Sequence, residues 1–472
     1  MRVVKNYLFN VLYQVFLLIV PLITTPYLAR TLGPTGVGIN SYTNSIIQYF
    51  ILLGSVGVSL YGNQQVAFKR DNVDQLSKTF YEIFFMRCIT TFIAYCAFAT
   101  FLVFTTKYYW YFLAQSISIV AAAFDISWFF MGMENFAVTV FRNFIVKIIT
   151  LISIFALVKN FQDLTTYIVI LSLSTLIGNF TLFPSLRRYI KIPKLSDINL
   201  FQHLKPSLAL FIPQIAIQIY VVLDKTMLGS MDSVKASGFF DSSDKIIRMI
   251  LAIVTATGTV MLPHVANAFA KGEEKKIKNY LYTSFSFVSS ISIPMMFGVS
   301  ALSSKFVPLF FTSKFNSVVP IMEVESLAIL FIAWGSALGE QFLLPTNQIK
   351  PYTISVVLGA LINLIVNIPL IIFWGAVGTA VATVLSEITV SFYQLFSIRK
   401  QLRYKLLFRD FYKYFFSGII MFFIVKLIDI YTPQTWIMLF IEVTIGMVVY
   451  LIFLVLFRTS LINQVFSMLD IR

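Results

Sequence analysis

The sequence carries very little with which to do chemistry in water. It has two cysteines and two histidines in 472 residues, and charged side chains make up only 12% of it. Cys88 and Cys96 lie eight positions apart in one apolar segment. On a helix that is roughly 12 Å, where a disulfide needs Cα atoms within about 7 Å, so no disulfide framework exists and neither redox chemistry nor compartment follows from them. His203 falls in a basic loop and His264 at a helix end. HExxH, GxSxG and GxxxxGK[ST] patterns are all missing, which removes support for zinc hydrolysis, a serine elbow and nucleotide hydrolysis. Acidic residues are scarce too, 21 against 36 Lys and Arg, for a net charge of +15.

What is abundant is apolar surface. Hydrophobic residues make up 58% of the chain and aromatic residues 16%, whereas soluble domains run at about 45–50% apolar and about 25% charged. A +15 chain that was soluble would point to nucleic acid; in so apolar a chain the excess reads instead as basic cytoplasmic loops, and nucleic acid is not an expected partner. The run from Tyr7 to Ala29 is too long for a signal peptide and ends at Arg30 without a cleavage pattern, so it reads as a retained membrane helix.

Cutting the chain where charge, Pro, Gly, Asn or Asp interrupt apolar runs of about 20 residues predicts an all-α polytopic membrane protein. The fourteen expected spans are 7–29, 37–61, 79–104, 108–131, 139–158, 164–185, 207–224, 246–263, 280–301, 321–344, 352–373, 377–398, 414–430 and 435–457. With the N-terminus inside, the cytoplasmic segments hold 24 Lys and Arg and the opposite side 8, which places both termini in the cytoplasm. The other four, Arg87, Lys147, Arg248 and Lys426, fall inside spans. External loops are short, the longest running from Lys225 to Lys245, which argues against a membrane-embedded polysaccharide polymerase and leaves a pathway or carrier.

A weak internal repeat supports a carrier. Arg30-Thr31-Leu32-Gly33 at the end of helix 1 resembles Lys225-Thr226-Met227-Leu228-Gly229 at the end of helix 7. Gly57, Ala67 and Phe68 recur as Gly258, Ala268 and Phe269 at a constant offset of 201. An even number of helices per repeat makes the repeats parallel. The expected division is an N-lobe of helices 1–6 over 1–190, a basic cytoplasmic linker over 191–206, a C-lobe of helices 7–12 over 207–400, and helices 13–14 with the tail over 401–472. Pro21 and Pro26 in helix 1, and Pro206 and Pro213 in helix 7, interrupt helix hydrogen bonds at matching places.

An ionisable side chain at mid-membrane is expensive and usually faces protein or a wet cavity. Arg87, Asp125, Arg142, Lys147, Asp224, Lys225, Asp241, Asp244, Lys245, Arg248, Glu323, Glu325 and Glu340 all fall in or beside spans. Asp244 and Arg248 are one helical turn apart, which fits a structural salt bridge or a charged cavity wall. Helix 2 adds Ser41, Asn44, Ser45 and Gln48 at i, i+4 spacing, either packing glue between helices or a substrate contact. The Gly335/Gly339 spacing reads as helix packing.

Four stretches resemble the polysaccharide-transporter family, the Wzx-like flippases, within the superfamily that also holds multidrug antiporters and lipid II flippases. They are Pro26-Tyr27-Leu28-Ala29-Arg30-Thr31-Leu32-Gly33-Pro34 with Gly36 and Gly38; Asp125-Ile126-Ser127-Trp128-Phe129-Phe130-Met131-Gly132-Met133-Glu134-Asn135-Phe136 with Arg142-Asn143 and Val146-Lys147; Asp224-Lys225-Thr226-Met227-Leu228-Gly229; and Leu343-Leu344-Pro345 leading through Asn363 and Asn367 to Gly375-Ala376-Val377-Gly378-Thr379-Ala380. The resemblance implies two six-helix lobes around a central cavity that opens alternately to each side. The implied substrate is an undecaprenyl-pyrophosphate-linked oligosaccharide of capsule, O-antigen or teichoic type, and the implied site is the bacterial cell membrane.

Related lipid flippases carry arginines inside the first helix for the pyrophosphate. Here no basic residue occurs between Lys5 and Arg30, so that role falls to Arg30, Arg87, Arg142, Lys147, Lys225 or Arg248, with Asn44 and Gln48 for sugar. Asp125, Asp224, Asp244 and Glu340 are candidates for coupling to Na+ or H+, with the membrane potential as a further source of drive. No cofactor is expected. Expected partners are anionic membrane lipids, a polysaccharide polymerase and glycosyltransferases, around a monomeric carrier. The competing reading is a drug or organic-cation antiporter of the same superfamily.

Overall fold

A computed structural model describes residue 16 and residues 19–194 and 198–463. Among these, every regular element is helical. Ten helical stretches are long and apolar enough to cross a membrane, and the protein is a multi-pass membrane protein. One of the ten, Ile349–Ile398, covers two of the expected spans. The expected span 7–29 includes residues outside those described.

The chain forms two compact units, Met1–Ser230 and Met231–Arg472. The first holds α1 (19–31), α2 (Gly33–Ser55), α3 (Val58–Lys69), α4 (Val73–Val103), α5 (Tyr109–Ala123), α6 (Ser127–Gly132), α7 (Phe136–Leu157), α8 (Leu164–Phe180), α9 (Phe183–Leu186) and nearly all of α10 (Phe201–Met231). The second holds α11 (Val234–Ala270), α12 (Glu274–Phe310), α13 (Val318–Glu325), α14 (Ala328–Gly335) with a π-helical extension Ser336–Leu343, α15 (Ile349–Ile398), α16 (Tyr404–Leu407), α17 (Phe411–Tyr431) and α18 (Trp436–Leu456). α10 belongs, all but its last residue, to the first compact unit.

The helix bounds carry the internal repeat further than the scattered residue matches did. α2 with α3 runs Gly33–Lys69 and α11 runs Val234–Ala270, 37 residues each and 201 apart; α4 and α12 then start 201 apart as well. The difference lies in the middle. Gly57 has φ +72 and breaks the first stretch into α2 and α3, while its counterpart Gly258 is helical and α11 is continuous.

A broken helix inside a membrane must satisfy the carbonyls it frees, because no water is there to do so. Thr90 Oγ1 donates to Gly54 O at 2.7 Å and Ser207 Oγ to Val56 O at 2.6 Å. A Cβ on Gly57 would lie 2.8 Å from Phe211 Cβ and 2.9 Å from Ser207 O, so α10 packs directly into the break.

The Trp-Phe-Phe stretch, the most family-specific run in the sequence, is the core of the first unit. Trp128, Phe129 and Phe130 are fully buried against Tyr61, Val66, Phe80 and Ile83. α3 comes so close to α6 that a Cβ on Gly62 would lie 2.4 Å from Trp128 Cε3. In the second unit, Gly375 (φ 55, ψ −130) turns the chain inside α15. The two halves fold back on each other, with Ser386 Oγ donating to Gly359 O at 2.7 Å.

The α3–α6 contact predicts that Gly62→Val overpacks the core and lowers stability by about 1–3 kcal/mol. A downward shift of the thermal unfolding midpoint of the detergent-solubilised protein checks it.

Candidate functional site

Polar residues that crowd one stretch of a membrane helix cannot all face lipid, so the structure has to sort them. On α2 it does so by face. Ser41, Thr43 and Ser45 are buried; Thr43 Oγ1 donates to Ile39 O at 2.7 Å, and Thr226 Oγ1 on α10 donates to Ser45 Oγ at 2.8 Å. Gln115 Nε2 on α5 donates to Asn40 Oδ1 at 3.1 Å. These are packing bonds. Asn44 and Gln48 are left on the open side, with Gln48 Nε2 3.4 Å from Asn44 Oδ1.

The α2–α10 contact brings further predicted residues to the same place. Asp224 is buried and Lys225 half-buried, two positions and one position before Thr226. Gly229 lets α10 lie flat on Tyr42, since a Cβ there would be 2.0 Å from Tyr42 Cδ2. Asp224 and Lys225 thus lie next to the Thr226–Ser45 contact, while Asn44 and Gln48 share the open side of α2.

In the second unit, α11 carries two ion pairs on successive turns. Lys245 pairs with Asp241, and Arg248 Nε donates to Asp244 Oδ1 at 2.6 Å. Both carboxylates are buried while both cations keep nearly half their side-chain surface open. Of the two sequence alternatives, the salt bridge along the helix is present.

The remaining predicted residues do not join these groups through any observed contact. Arg87 is only 3% exposed; its Nη1 donates to Asp125 O at 3.0 Å and its Nη2 lies 3.5 Å from Asp125 Oδ2. Asp125 Oδ1 in turn accepts from Ser127 N and Ser127 Oγ at 3.0 and 2.6 Å, holding the start of α6. Glu134, at the end of the same stretch, pairs with Arg70 at 2.8 Å, which raises the Arg70 pKa through that hydrogen bond. Arg142 Nη1 donates to Asn179 Oδ1 at 2.8 Å, tying α7 to α8. Arg30 and Lys147 are exposed. Glu340 is exposed on the π-helical turn, where Ser336 Oγ donates to its carboxylate at 2.7 Å; such turns recur at functional sites.

Two buried clusters escaped the sequence reading. In the first unit, His203, Ser207 and Phe211 sit at i, i+4, i+8 on α10 and meet α3 and α4. His203 Nε2 is 2.9 Å from Glu82 Oε2, and Tyr61 Oη is 2.8 Å from His203 Nδ1. The backbone N–H of Asn199 donates to Glu82 Oε1 at 2.8 Å and that of Lys191 to Ser77 Oγ at 2.9 Å, so both ends of the basic linker are pinned to α4. In the second unit, Lys305, counted above as a loop cation, is 1% exposed inside α12 and pairs with Asp429 and Glu442. The signal was present for both clusters: Glu82 and Glu442 are carboxylates inside apolar runs.

Comparison with known proteins adds the family. The model of the family described as polysaccharide biosynthesis protein matches residues 3–269. The chain belongs to that family. It is 21% identical over 406 residues to the "Putative O-antigen transporter" of Escherichia coli (strain K12), covering 84% of this chain and 96% of that protein. Among solved structures it resembles the lipid II flippase MurJ in an inward closed conformation, with a TM-score of 0.81 at 19% identity over 97% of this chain and all of the other. An inward-facing multidrug transporter of the MATE family gives 0.62 at 11% identity over 81% of this chain and 98% of the other. The resemblance drawn from the four sequence stretches therefore holds. Family membership also reassigns its most specific stretch: Asp125 to Glu134 builds the fold of the first unit, with both acids held by arginines.

Two stability predictions follow from this geometry. Arg87→Met leaves Asp125 uncompensated and should destabilise by about 3–5 kcal/mol, whereas Lys147→Ala on the open face of α7 should stay within about 0.5 kcal/mol; thermal unfolding of both variants checks the contrast. For His203, burial lowers the pKa against the opposing pull of Glu82. A lowered pKa means the unfolded chain binds the proton first, so stability is complete above about pH 6.5 and falls as the pH drops below it. The wild-type unfolding midpoint should decline over that acid range, and His203→Gln should flatten the decline.

Proposed function

We propose that the protein is a lipid-linked oligosaccharide flippase, carrying undecaprenyl-pyrophosphate-linked repeat units from the inner to the outer leaflet of a bacterial cell membrane, with both termini cytoplasmic. The observation that carries this reading is the set of cations that keep part of their surface exposed on membrane helices, Lys225 in the first unit and Lys245 with Arg248 in the second. An organic-cation carrier has no use for such positive rows, whereas a pyrophosphate does. Membership in a polysaccharide biosynthesis family and the likeness to an O-antigen transporter support the same substrate class.

The physical problem such a carrier solves is desolvation. An isolated ion in a medium of low dielectric is opposed by tens of kcal/mol in a Born estimate. Lys225 in the first unit and, separately, Arg248 in the second would each offer a pyrophosphate a positive charge, while Asn44 and Gln48 would offer hydrogen bonds to sugar hydroxyls. Arg30, Arg142 and Lys147 are further cations available along the path. Arg87 contributes least, because its guanidinium is held by Asp125. The membrane potential adds drive, since moving an anion out of a negative interior gains about 2.3 kcal/mol per charge per 100 mV. The fourteen-helix, two-lobed layout with alternating access, the monomeric state and the polymerase and glycosyltransferase partners belong to the same proposal. So does ion coupling through Asp224, Asp244 or Glu340.

A flipping assay in liposomes with a fluorescent lipid-linked oligosaccharide tests the reading. Lys225→Ala and Arg248→Ala, verified as folded, should each slow transport about tenfold, equivalent to roughly 1.4 kcal/mol. Unchanged rates in both, or transport of organic cations in place of the lipid, would overturn it.

A further inference from the structure

The second unit contains a buried charge cluster that substrate binding does not use. Lys305 sits near the end of α12, and an ammonium has three N–H donors. Three acceptors surround it: Thr432 Oγ1 at 2.7 Å and Asp429 Oδ1 at 3.3 Å from α17, and Glu442 Oε1 from α18. Thr432 Oγ1 also lies 2.6 Å from Glu442 Oε1, and Ser304 Oγ donates to Asp429 Oδ2 at 2.8 Å. At the open side Lys426 lies 3.8 Å from Glu323 Oε1 on α13 and 4.0 Å from Asp429 Oδ2, and donates to Ser304 Oγ at 3.3 Å. The charged groups facing the cluster are thus Lys305 on α12, Glu323 on α13, Lys426 and Asp429 on α17 and Glu442 on α18.

That is two positive charges against three negative ones, in segments flanked by apolar residues. Glu442 is 0% exposed, seven positions into α18, and its Oε2 has no hydrogen-bond partner. A bare ionised oxygen at such a position is among the most costly groups a membrane protein can hold. One further positive charge would balance the cluster and remove the ionised oxygen.

We propose that Lys305, Asp429 and Glu442 form a proton-binding site, with the proton taken from water and bonded to Glu442 Oε2, and released to water in reverse. The chemistry selects H+ over a metal cation. A hard metal ion takes about six oxygens, while the Lys305 ammonium already occupies the space between the two carboxylates. No group of three or more His, Cys, Asp or Glu placed to hold a metal occurs among the described residues. With the proton on, Glu442 keeps its neutral hold on Thr432 and Lys305; with the proton off, it stays paired to Lys305 but the five-residue cluster between α12, α13, α17 and α18 carries one excess negative charge. The site rests on the transport reading only for its use, which is to make the position of the α17–α18 pair answer to pH during the carrier cycle.

Infrared difference spectroscopy on the full-length protein in nanodiscs tests the site without any transport measurement. In the difference between acid and alkaline conditions, the wild type should show the carbonyl stretch of a protonated carboxyl that is absent from Glu442→Gln. Thr432→Val, which keeps the acid and removes one hydrogen bond, should shift that band rather than abolish it. A spectrum of Glu442→Gln identical to wild type overturns the proposal. So does a band that responds to exchange of Na+ for choline at fixed pH but not to pH itself. In liposomes, a pH gradient of one unit should change wild-type accumulation by up to about tenfold and leave Glu442→Gln indifferent. If neither protein moves the lipid-linked probe, the flippase reading fails while the infrared result still decides the proton site.

Discussion

Every unusual feature of this chain answers to one constraint. Inside hydrocarbon, each charge and each backbone group released from a helix has to find its partner within the protein. Arg87 finds Asp125, Glu82 finds His203 and the Asn199 amide, and the carbonyls freed at the α2–α3 break find Thr90 and Ser207. The ion pairs along α11 obey the same rule, with each carboxylate buried beneath the cation one turn on.

The same constraint explains what the sequence could and could not reveal. Membrane class, helical content and family were legible because they depend on composition, run length and local motifs. The repeat was legible at Gly57/Gly258 and grew clearer in the helix bounds. The role of an individual charge was not legible, because it depends on partners far away in sequence: Arg87 is 38 residues from Asp125, and Lys305 is 137 from Glu442. Only the pairs at helical spacing, Asp241/Lys245 and Asp244/Arg248, could be foreseen as pairs. Even there, burial of the acids and exposure of the cations was a tertiary result.

The Asp125–Glu134 stretch shows how family signature and active chemistry can part. Four requirements meet in its ten residues: an acid to hold Ser127 and Arg87, aromatic rings to fill the core, a glycine to let α3 approach, and an acid to meet Arg70. None of these demands a ligand. A stretch can be strongly diagnostic because many packing conditions converge on it.

The unequal middles of the two 37-residue repeats carry a mechanical meaning. At Gly54–Gly57 the backbone's own ladder is already open and its carbonyls are held by side-chain hydroxyls, which can trade partners as neighbouring helices slide. α11 runs unbroken through Gly258 and meets its own weak point five positions further on, at Pro263. The two repeats therefore yield at different depths, the first at the Gly57 turn where α10 seats its hydroxyl against Val56, the second where Pro263 withholds one backbone bond.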